Sequence, residues 1–477
     1  MNNLILLLSF LCLLTGVFIF RKLWLGALGA VMIVLVSKLL FSSESNEVYY
    51  ELSNAIIIWT ELILLIFGAY LFYNTLSVHK HFIPFIESVS IISSHISLAI
   101  ILCFFVGSFM EGIAGFGIPA LLIAPLMLTV GFKPVTAVVL PLAANTTAVL
   151  FGALGTPLRI GLGINEPDKV VAITTILNAL PALVIPFMLT YLLSKTERLK
   201  ISWKKEWKML LGAGFCFYVP FALTAMFSIE FPSVVAGIAG LLLFVFIFIP
   251  TQEKIAGRIW WNTFSPYLFF IVLLLLWKFA SQNVHFSLYP DIKDVSFYQP
   301  GIVFIIASII ILFFFNKKNF GIQLFTLIKD ALYRIRIPAI TILLLISFTQ
   351  LIAKSFAEHI SLLTTSMNQT WQIMAQPIIG IFGSFITGSA TMSNLLFVGS
   401  LSTVALAQQP LFAALLHIGS AIGNAISLQN IAMVKSVIPD NISENTILKY
   451  NIPVVVFYLL LVVLSVFIIV NLTNYVK

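Results

Sequence analysis

Apolar residues run along this chain in blocks of about eighteen or more, divided by short polar stretches, from one end to the other. Wound as a helix rising 1.5 Å per residue, such a block spans the roughly 30 Å of hydrocarbon in a bilayer. The pattern predicts spans near 3–20, 24–41, 53–74, 88–106, 113–130, 134–157, 168–194, 209–228, 232–250, 264–280, 299–315, 338–353, 371–387, 394–407, 410–434 and 452–474. Several are too short or too polar to cross fully. The expectation is an all-α polytopic membrane protein with about twelve to fourteen transmembrane helices and further re-entrant pieces. Residues 1–477 read as one integral membrane domain, because no long polar stretch remains for a soluble one. The first block reads as a retained span: no basic segment precedes it and no small-residue cleavage pattern lies before Arg21-Lys22.

One block is interrupted. Gly107-Ser108-Phe109-Met110-Glu111-Gly112-Ile113-Ala114-Gly115-Phe116-Gly117-Ile118-Pro119 sets a carboxylate among glycines inside an apolar region. An ionisable side chain at membrane depth costs about 2.5 to 3.5 kcal/mol on insertion scales, so it persists where it faces a cavity or a partner. Glycines and proline break a helix, and broken backbone in a membrane survives only when buried in protein or lining a cavity. The pattern returns as Gly383-Ser384-Phe385-Ile386-Thr387-Gly388, and each copy is followed by a second small, polar cluster. In the first half these clusters are Asn145-Thr146-Thr147 and Gly152-Ala153-Leu154-Gly155-Thr156-Pro157. In the second they are Ser389-Ala390-Thr391-Met392-Ser393-Asn394 and Gly419 to Asn424 with Ser427-Leu428-Gln429-Asn430.

Charge changes the picture by giving the two copies a direction. Charged residues are only 9% of the chain, and the excess of basic ones, a net +8, sits in short loops, which speaks for bilayer orientation and against a nucleic-acid partner. Arg21-Lys22, the His79-Lys80-His81 loop, the run from Lys195 to Lys208, Lys254 with Arg258, and the segment from Lys317 to Arg336 are predicted cytoplasmic. The loops between them, 42–51, 229–232, 284–299 and 357–370, are nearly free of Lys and Arg, which places the N-terminus outside. The two glycine-bearing segments then enter from opposite faces, the mark of an inverted repeat with its substrate site near the midplane. Residues 78–208 form the first repeat core and 354–450 the second. The stretch from Ile322 to Arg336 is predicted as an amphipathic helix, either at the cytoplasmic headgroups or simply solvated.

The chemistry available in such a place is anion binding. Half-helix N-termini expose N–H groups and a dipole that favours negative charge, and Ser, Thr and Asn add hydrogen bonds without a second full charge. The same residues also mediate helix packing, which is the commoner role of an isolated Ser or Thr. Glu111 either carries a proton, neutral when dry, or is a fixed anion needing a cation beside it; no Lys or Arg lies in its own segment, which favours the proton. Glu61, among apolar neighbours, reads as structural, and His417 as a hydrogen-bonded core residue. Arg159 either meets a carboxylate or snorkels at a span end. Cys12, Cys103 and Cys216 lie in apolar runs without metal or disulfide spacing. The G-x-x-G-x-G run from Gly112 to Gly117 follows no strand, and no G-x-x-x-x-G-K-[ST] exists, so neither a nucleotide site nor direct ATP-driven transport is expected. No metal, cofactor or catalytic constellation is predicted.

Glu111-Gly112-x-Ala114-Gly115-Phe116-Gly117-x-Pro119, with Ala144-Asn145-Thr146 and Gly152 to Pro157, resembles the first signature of the bacterial L-lactate permease family. Thr387-Gly388-Ser389-x-Thr391-x-Ser393-Asn394, with Ile426-Ser427-x-Gln429-Asn430, resembles its second. The resemblance covers nearly the whole chain. It implies a secondary transporter of the bacterial cytoplasmic membrane that takes up L-lactate, in some members glycolate, with a proton. Glu111 would then be the proton-coupling carboxylate. Gly112, Gly115, Phe116, Gly117, Asn145, Thr146, Thr387, Gly388, Ser389, Thr391, Ser393, Asn394, Gln429 and Asn430 would form the substrate site. The chain departs from the family pattern at Ala390, where an acidic or other polar residue is expected, and at Asn424, where a lysine is common. A sodium-coupled carrier, a monocarboxylate channel and a membrane-embedded enzyme are the alternatives. Sodium coupling is the nearest, because Asn and Thr oxygens and unwound carbonyls coordinate Na⁺ well.

Overall fold

Helices carry almost all of the chain, as they must in hydrocarbon, where backbone N–H and C=O groups have no water to bond. The computed structural model describes residues 3–20, 22–41, 45–78, 84, 87–88, 92, 94–115, 117–250, 256–281, 284–286, 295–315, 319–365, 368–404, 406, 408–435, 437–438 and 442–473. Among these, ten helices are long and apolar enough to cross a bilayer, and five shorter ones are apolar as well. The twelve to fourteen crossings read from the sequence fall between the ten alone and the two groups together. The protein is an all-α polytopic membrane protein; a two-residue ribbon, β1 (His285–Phe286) with β2 (Val295–Ser296), is the one sheet among the described residues.

In chain order the helices are α1 (Asn3–Phe18), α2 (Leu23–Phe41), α3 (Ser45–Val78), α4 (His95–Ile113), α5 (Ile118–Thr129), α6 (Pro134–Ala148), α7 (Gly152–Arg159), α8 (Lys169–Leu177), α9 (Ala179–Glu197) and α10 (Trp203–Ala225). There follow α11 (Pro232–Phe248), α12 (Gly257–Ser281), α13 (Pro300–Phe315), α14 (Phe320–Thr365), α15 (Gln369–Thr387), α16 (Ala390–Phe397), α17 (Gln409–Gly423), α18 (Leu428–Lys435) and α19 (Glu444–Thr473). The chain divides into two compact units, 1–91 with 255–352, and 92–254 with 353–477. Both repeat cores expected from the sequence fall in the second unit, apart from residues 78–91.

The first unit is held by small residues and aromatic rings. A Cβ on Gly68 of α3 would fall 2.5 Å from the Gly301 carbonyl of α13, so these helices meet backbone to backbone. Phe270 of α12 stacks on Phe304 of α13 with centroids 4.0 Å apart, and Phe72 of α3 lies 5.5 Å from each. Glu61 is buried here and accepts a hydrogen bond from Gln299 at 3.3 Å, a structural pairing. Residues 322–336 form no separate surface helix. They are the opening turns of α14, which continues past Pro338, with Ile322, Phe325 and Tyr333 exposed. The His79 to His81 loop, Lys254 and Lys317 lie outside the described residues.

In the second unit α4 is buried from Ser97 to its end and carries a π-helical stretch, Ile100–Val106. Its packing partner is α11, through glycines: a Cβ on Gly112 would fall 2.6 Å from the Val234 nitrogen, and one on Gly237 would fall 2.5 Å from the Phe109 nitrogen. Two apolar blocks read from the sequence as single spans, 134–157 and 410–434, are each broken. The first gives α6, a 3-10 turn Val149–Phe151 and α7; the second gives α17, a 3-10 turn Asn424–Ile426 and α18. Proline and glycine mark these places, but hydropathy alone runs straight through them.

The α4–α11 contact leaves no room for a methyl group at position 237. Overpacking of this kind costs about 1 to 3 kcal/mol, so Gly237→Ala is expected to lower the thermal unfolding midpoint of the detergent-purified protein. An unchanged midpoint would contradict the close approach of these helices.

Candidate functional site

Four helix interruptions stand out among the described residues of the second unit. The first separates α4 from α5, with Gly115 at φ 59° and Gly117 at φ 76°. The second precedes the right-handed part of α7, where Ala153, Leu154 and Gly155 are left-handed in succession at φ 46°, 55° and 70°. The third is Gly388, at φ 72°, followed by Ser389, which caps α16. The fourth is the turn from Asn424 to Ser427 between α17 and α18. Left-handed conformation costs an ordinary L-residue about 1–2 kcal/mol, so Ala153 and Leu154 hold strained backbone that neighbouring structure must fix.

The interruptions meet one another. A Cβ on Gly115 would fall 2.6 Å from that of Ala153; on Gly117, 3.0 Å from Asn430 Oδ1; on Gly388, 2.9 Å from Gln429 Cβ. Asn394 of α16 donates to the Pro157 carbonyl of α7 at 2.9 Å. The junction of the two sequence halves is therefore direct.

A narrow cavity lies at this junction, lined by Glu111, Val149, Gly152, Ala153 and Pro157 from one half and Gly388, Ser389, Ala390, Thr391 and Asn424 from the other. Its free space of about 10 Å³ suits about one water molecule. Glu111 is 3% exposed, and its Oε2 accepts a hydrogen bond from Asn145 Nδ2 at 2.8 Å. Its Oε1 presses on Gly152, where a Cβ would lie 2.5 Å away. Among the described residues, no lysine or arginine lines the cavity. The first residues of α16 line the same space; the Ala390 and Thr391 N–H groups there have no carbonyl one turn back to bond, while the Met392 N–H is taken by Ser389 Oγ. Asn145 Oδ1 and Ser108 Oγ are buried without a hydrogen-bond partner.

The residues expected from the sequence to contact substrate divide into groups. Glu111, Gly388, Ser389 and Thr391 line the cavity, and Asn145 is bonded to Glu111. Gly112 and Gly115 serve close backbone approach, and Phe116 lies outside the described residues. Thr146 donates to the Ala143 carbonyl at 2.9 Å, Thr387 to the Gly383 carbonyl at 2.9 Å, and Ser393 to the Gly380 carbonyl at 2.9 Å. Asn430 Nδ2 bonds Asn424 Oδ1 at 3.0 Å, while Gln429 and Gly117 sit against the opposite interruptions. Gly152, Ala153, Pro157, Val149, Ala390 and Asn424 complete the lining without having been singled out as site residues. The Gly152 to Pro157 motif was the signal for half of them. Both departures from the family pattern, Ala390 and Asn424, are thus cavity residues.

His417 is no relay. Its Nε2 donates to the Leu150 carbonyl at 2.9 Å and its Nδ1 accepts from Asn394 Nδ2 at 2.9 Å, an arrangement that requires the neutral imidazole. His417 and Asn394 together clamp two free carbonyls, Leu150 at the second interruption and Pro157 in the last turn of α7. Arg159 ends α7 and does not line the cavity. No group of three or more potential metal-binding side chains occurs among the described residues.

Comparison with known proteins identifies the family. The sequence profile of the L-lactate permease family matches residues 3–281 and 254–473. A putative L-lactate permease of Haemophilus influenzae is 26% identical over 414 residues, covering 73% of this chain and 75% of the relative. An L-lactate permease of Bacillus subtilis is 24% identical, covering 77% of each chain. The glycolate permease GlcA of Escherichia coli is 24% identical over 86% of this chain and 84% of its own.

Asn394→Leu keeps the branched outline of the side chain but strips the Pro157 carbonyl and His417 Nδ1 of their partners. Leaving buried polar groups unbonded costs about 1–3 kcal/mol, so this variant is expected to unfold at lower temperature in detergent. Unaltered stability would show that the clamp contributes nothing.

Proposed function

Because the chain belongs to the L-lactate permease family, we propose that it is a secondary transporter carrying a small 2-hydroxy monocarboxylate, L-lactate or glycolate, into the cell with a proton. The single observation that carries this reading is that buried Glu111 and the N-terminus of α16 face one small cavity. A substrate carboxylate belongs at the helix end, where N–H groups and dipole attract it. An ionised Glu111 in the same space opposes it: two like charges about 4 Å apart at an effective dielectric of about 20 repel by about 4 kcal/mol. A proton on Glu111 removes that repulsion, so proton and anion favour each other's binding, and the loaded cavity is nearly neutral.

Asn145 is suited to follow the proton. Its Nδ2 donates to the carboxylate, and after rotation of the amide its unpartnered Oδ1 would accept from the protonated acid. With no cation among the described lining residues, the substrate carboxylate would rest on the α16 N–H groups, Ser389, Thr391 and Asn424. The cavity's small volume means that admission of a hydroxy acid requires the interruptions to part. Movement of two inverted repeats about this point would expose it to each side in turn. The membrane is the cytoplasmic one in this proposal, with the N-terminus outside. Sodium remains the rival coupling ion, favoured by Asn145 Oδ1 beside the carboxylate.

Labelled lactate uptake into proteoliposomes under imposed pH and sodium gradients tests the proposal, with glycolate and pyruvate as competitors. A pH gradient alone should drive accumulation; a requirement for Na⁺ at fixed pH would move the coupling to sodium, and passive equilibration only would indicate a channel. Glu111→Gln should lose accumulation driven by the pH gradient while retaining lactate exchange, and full accumulation in that variant would place the coupling group elsewhere. Gly152→Ala sets a methyl against the Glu111 carboxylate and should cut uptake by about tenfold, within the range of overpacking costs.

A further inference from the structure

A second hollow in the same unit is unlike the first. It is a groove of about 1000 Å³ between α9, the start of α10 and α19, and it shares no lining residue with the Glu111 cavity. Its walls are apolar and aromatic, among them Val184, Phe187 and Phe457, while Lys195 and Lys449 stand on its lining. Neither lysine is paired with a carboxylate among the described residues: the neighbouring Glu197 is taken by Lys133 and Thr136, and Glu444 by Lys435. Lys195 lies over the Tyr191 ring, 5.4 Å from its centroid. Tyr191 is 50% exposed, and the groove opens on the outer surface of the protein.

We propose that this groove binds an anionic phospholipid, its phosphate between Lys195 and Lys449 and its acyl chains along the apolar wall. Two unneutralised cations on an apolar, membrane-facing groove complement a molecule that is anionic at one end and hydrocarbon for the rest. A second copy of the chain would leave both lysines facing apolar surface or each other unless it brought acids of its own. A zwitterionic lipid fills the apolar wall but gives the lysines no net charge to meet.

Native mass spectrometry of the full-length protein in detergent, titrated with phosphatidylglycerol and with phosphatidylcholine of the same chains, tests this. Phosphatidylglycerol is expected to bind preferentially. Each lysine near an anionic headgroup contributes roughly a fivefold factor, so Lys195→Gln with Lys449→Gln should abolish most of that preference, whereas Lys195→Arg with Lys449→Arg keeps it. Lys204→Gln with Lys205→Gln, on the exposed run outside the groove, should leave it unchanged. Equal binding of the two lipids, an undiminished preference in the first double variant, or an equal loss in the Lys204 and Lys205 control would overturn the proposal. So would a dimer whose formation excludes lipid.

Discussion

A helix interrupted in hydrocarbon frees carbonyl groups that no water will bond, and the second unit is arranged around satisfying them. The Leu150 carbonyl takes His417, Pro157 takes Asn394, Ala148 takes Ser233 and Ala425 takes Asn451. Several of these donors come from distant parts of the sequence, so each interruption can exist only when the other is folded against it. That mutual dependence explains why the two halves join directly at their least regular points. It also explains why buried Ser, Thr and Asn are concentrated there.

The same constraint creates a functional opportunity. Interrupting α15 from α16 leaves a helix N-terminus buried in protein, and bringing α4 to the junction sets Glu111 opposite it. Gly152 is part of the device, because any side chain there would occupy the space of the carboxylate. In the mechanism proposed above, an attractive terminus and a protonatable acid in one cavity would link anion and proton by electrostatics alone, without a fixed cation. Strain at Ala153 and Leu154, held by the Thr156 hydroxyl on the Ala153 carbonyl, marks the wall of the cavity nearest the acid.

Much of this was legible in the sequence. Apolar block length gave the membrane class, and an acid among glycines singled out Glu111. The repeated pattern and the polar cluster after it singled out Gly388, Ser389 and Thr391, which share the cavity with it. What stayed hidden has a common cause. A polar side chain beside a helix break serves either a ligand or a freed carbonyl, and residue type does not distinguish the two. Thr146, Ser393 and Asn394 therefore read as ligand contacts but bond backbone. The interruptions within 134–157 and 410–434 were masked because small residues there keep the hydropathy high. Left-handed backbone at Ala153 and Leu154 left no trace, since neither residue prefers it.

Counting protons bound with the substrate tests the electrostatic linkage most directly. Lactate can be titrated calorimetrically into the purified protein near neutral pH, in two buffers of different ionisation enthalpy, so that the heats report proton uptake. If Glu111 must be neutral for the anion to settle at α16, binding should draw in up to about one proton per lactate, and Glu111→Gln should abolish that uptake. Lactate binding without proton uptake at any pH from weakly acidic to weakly basic would contradict the linkage.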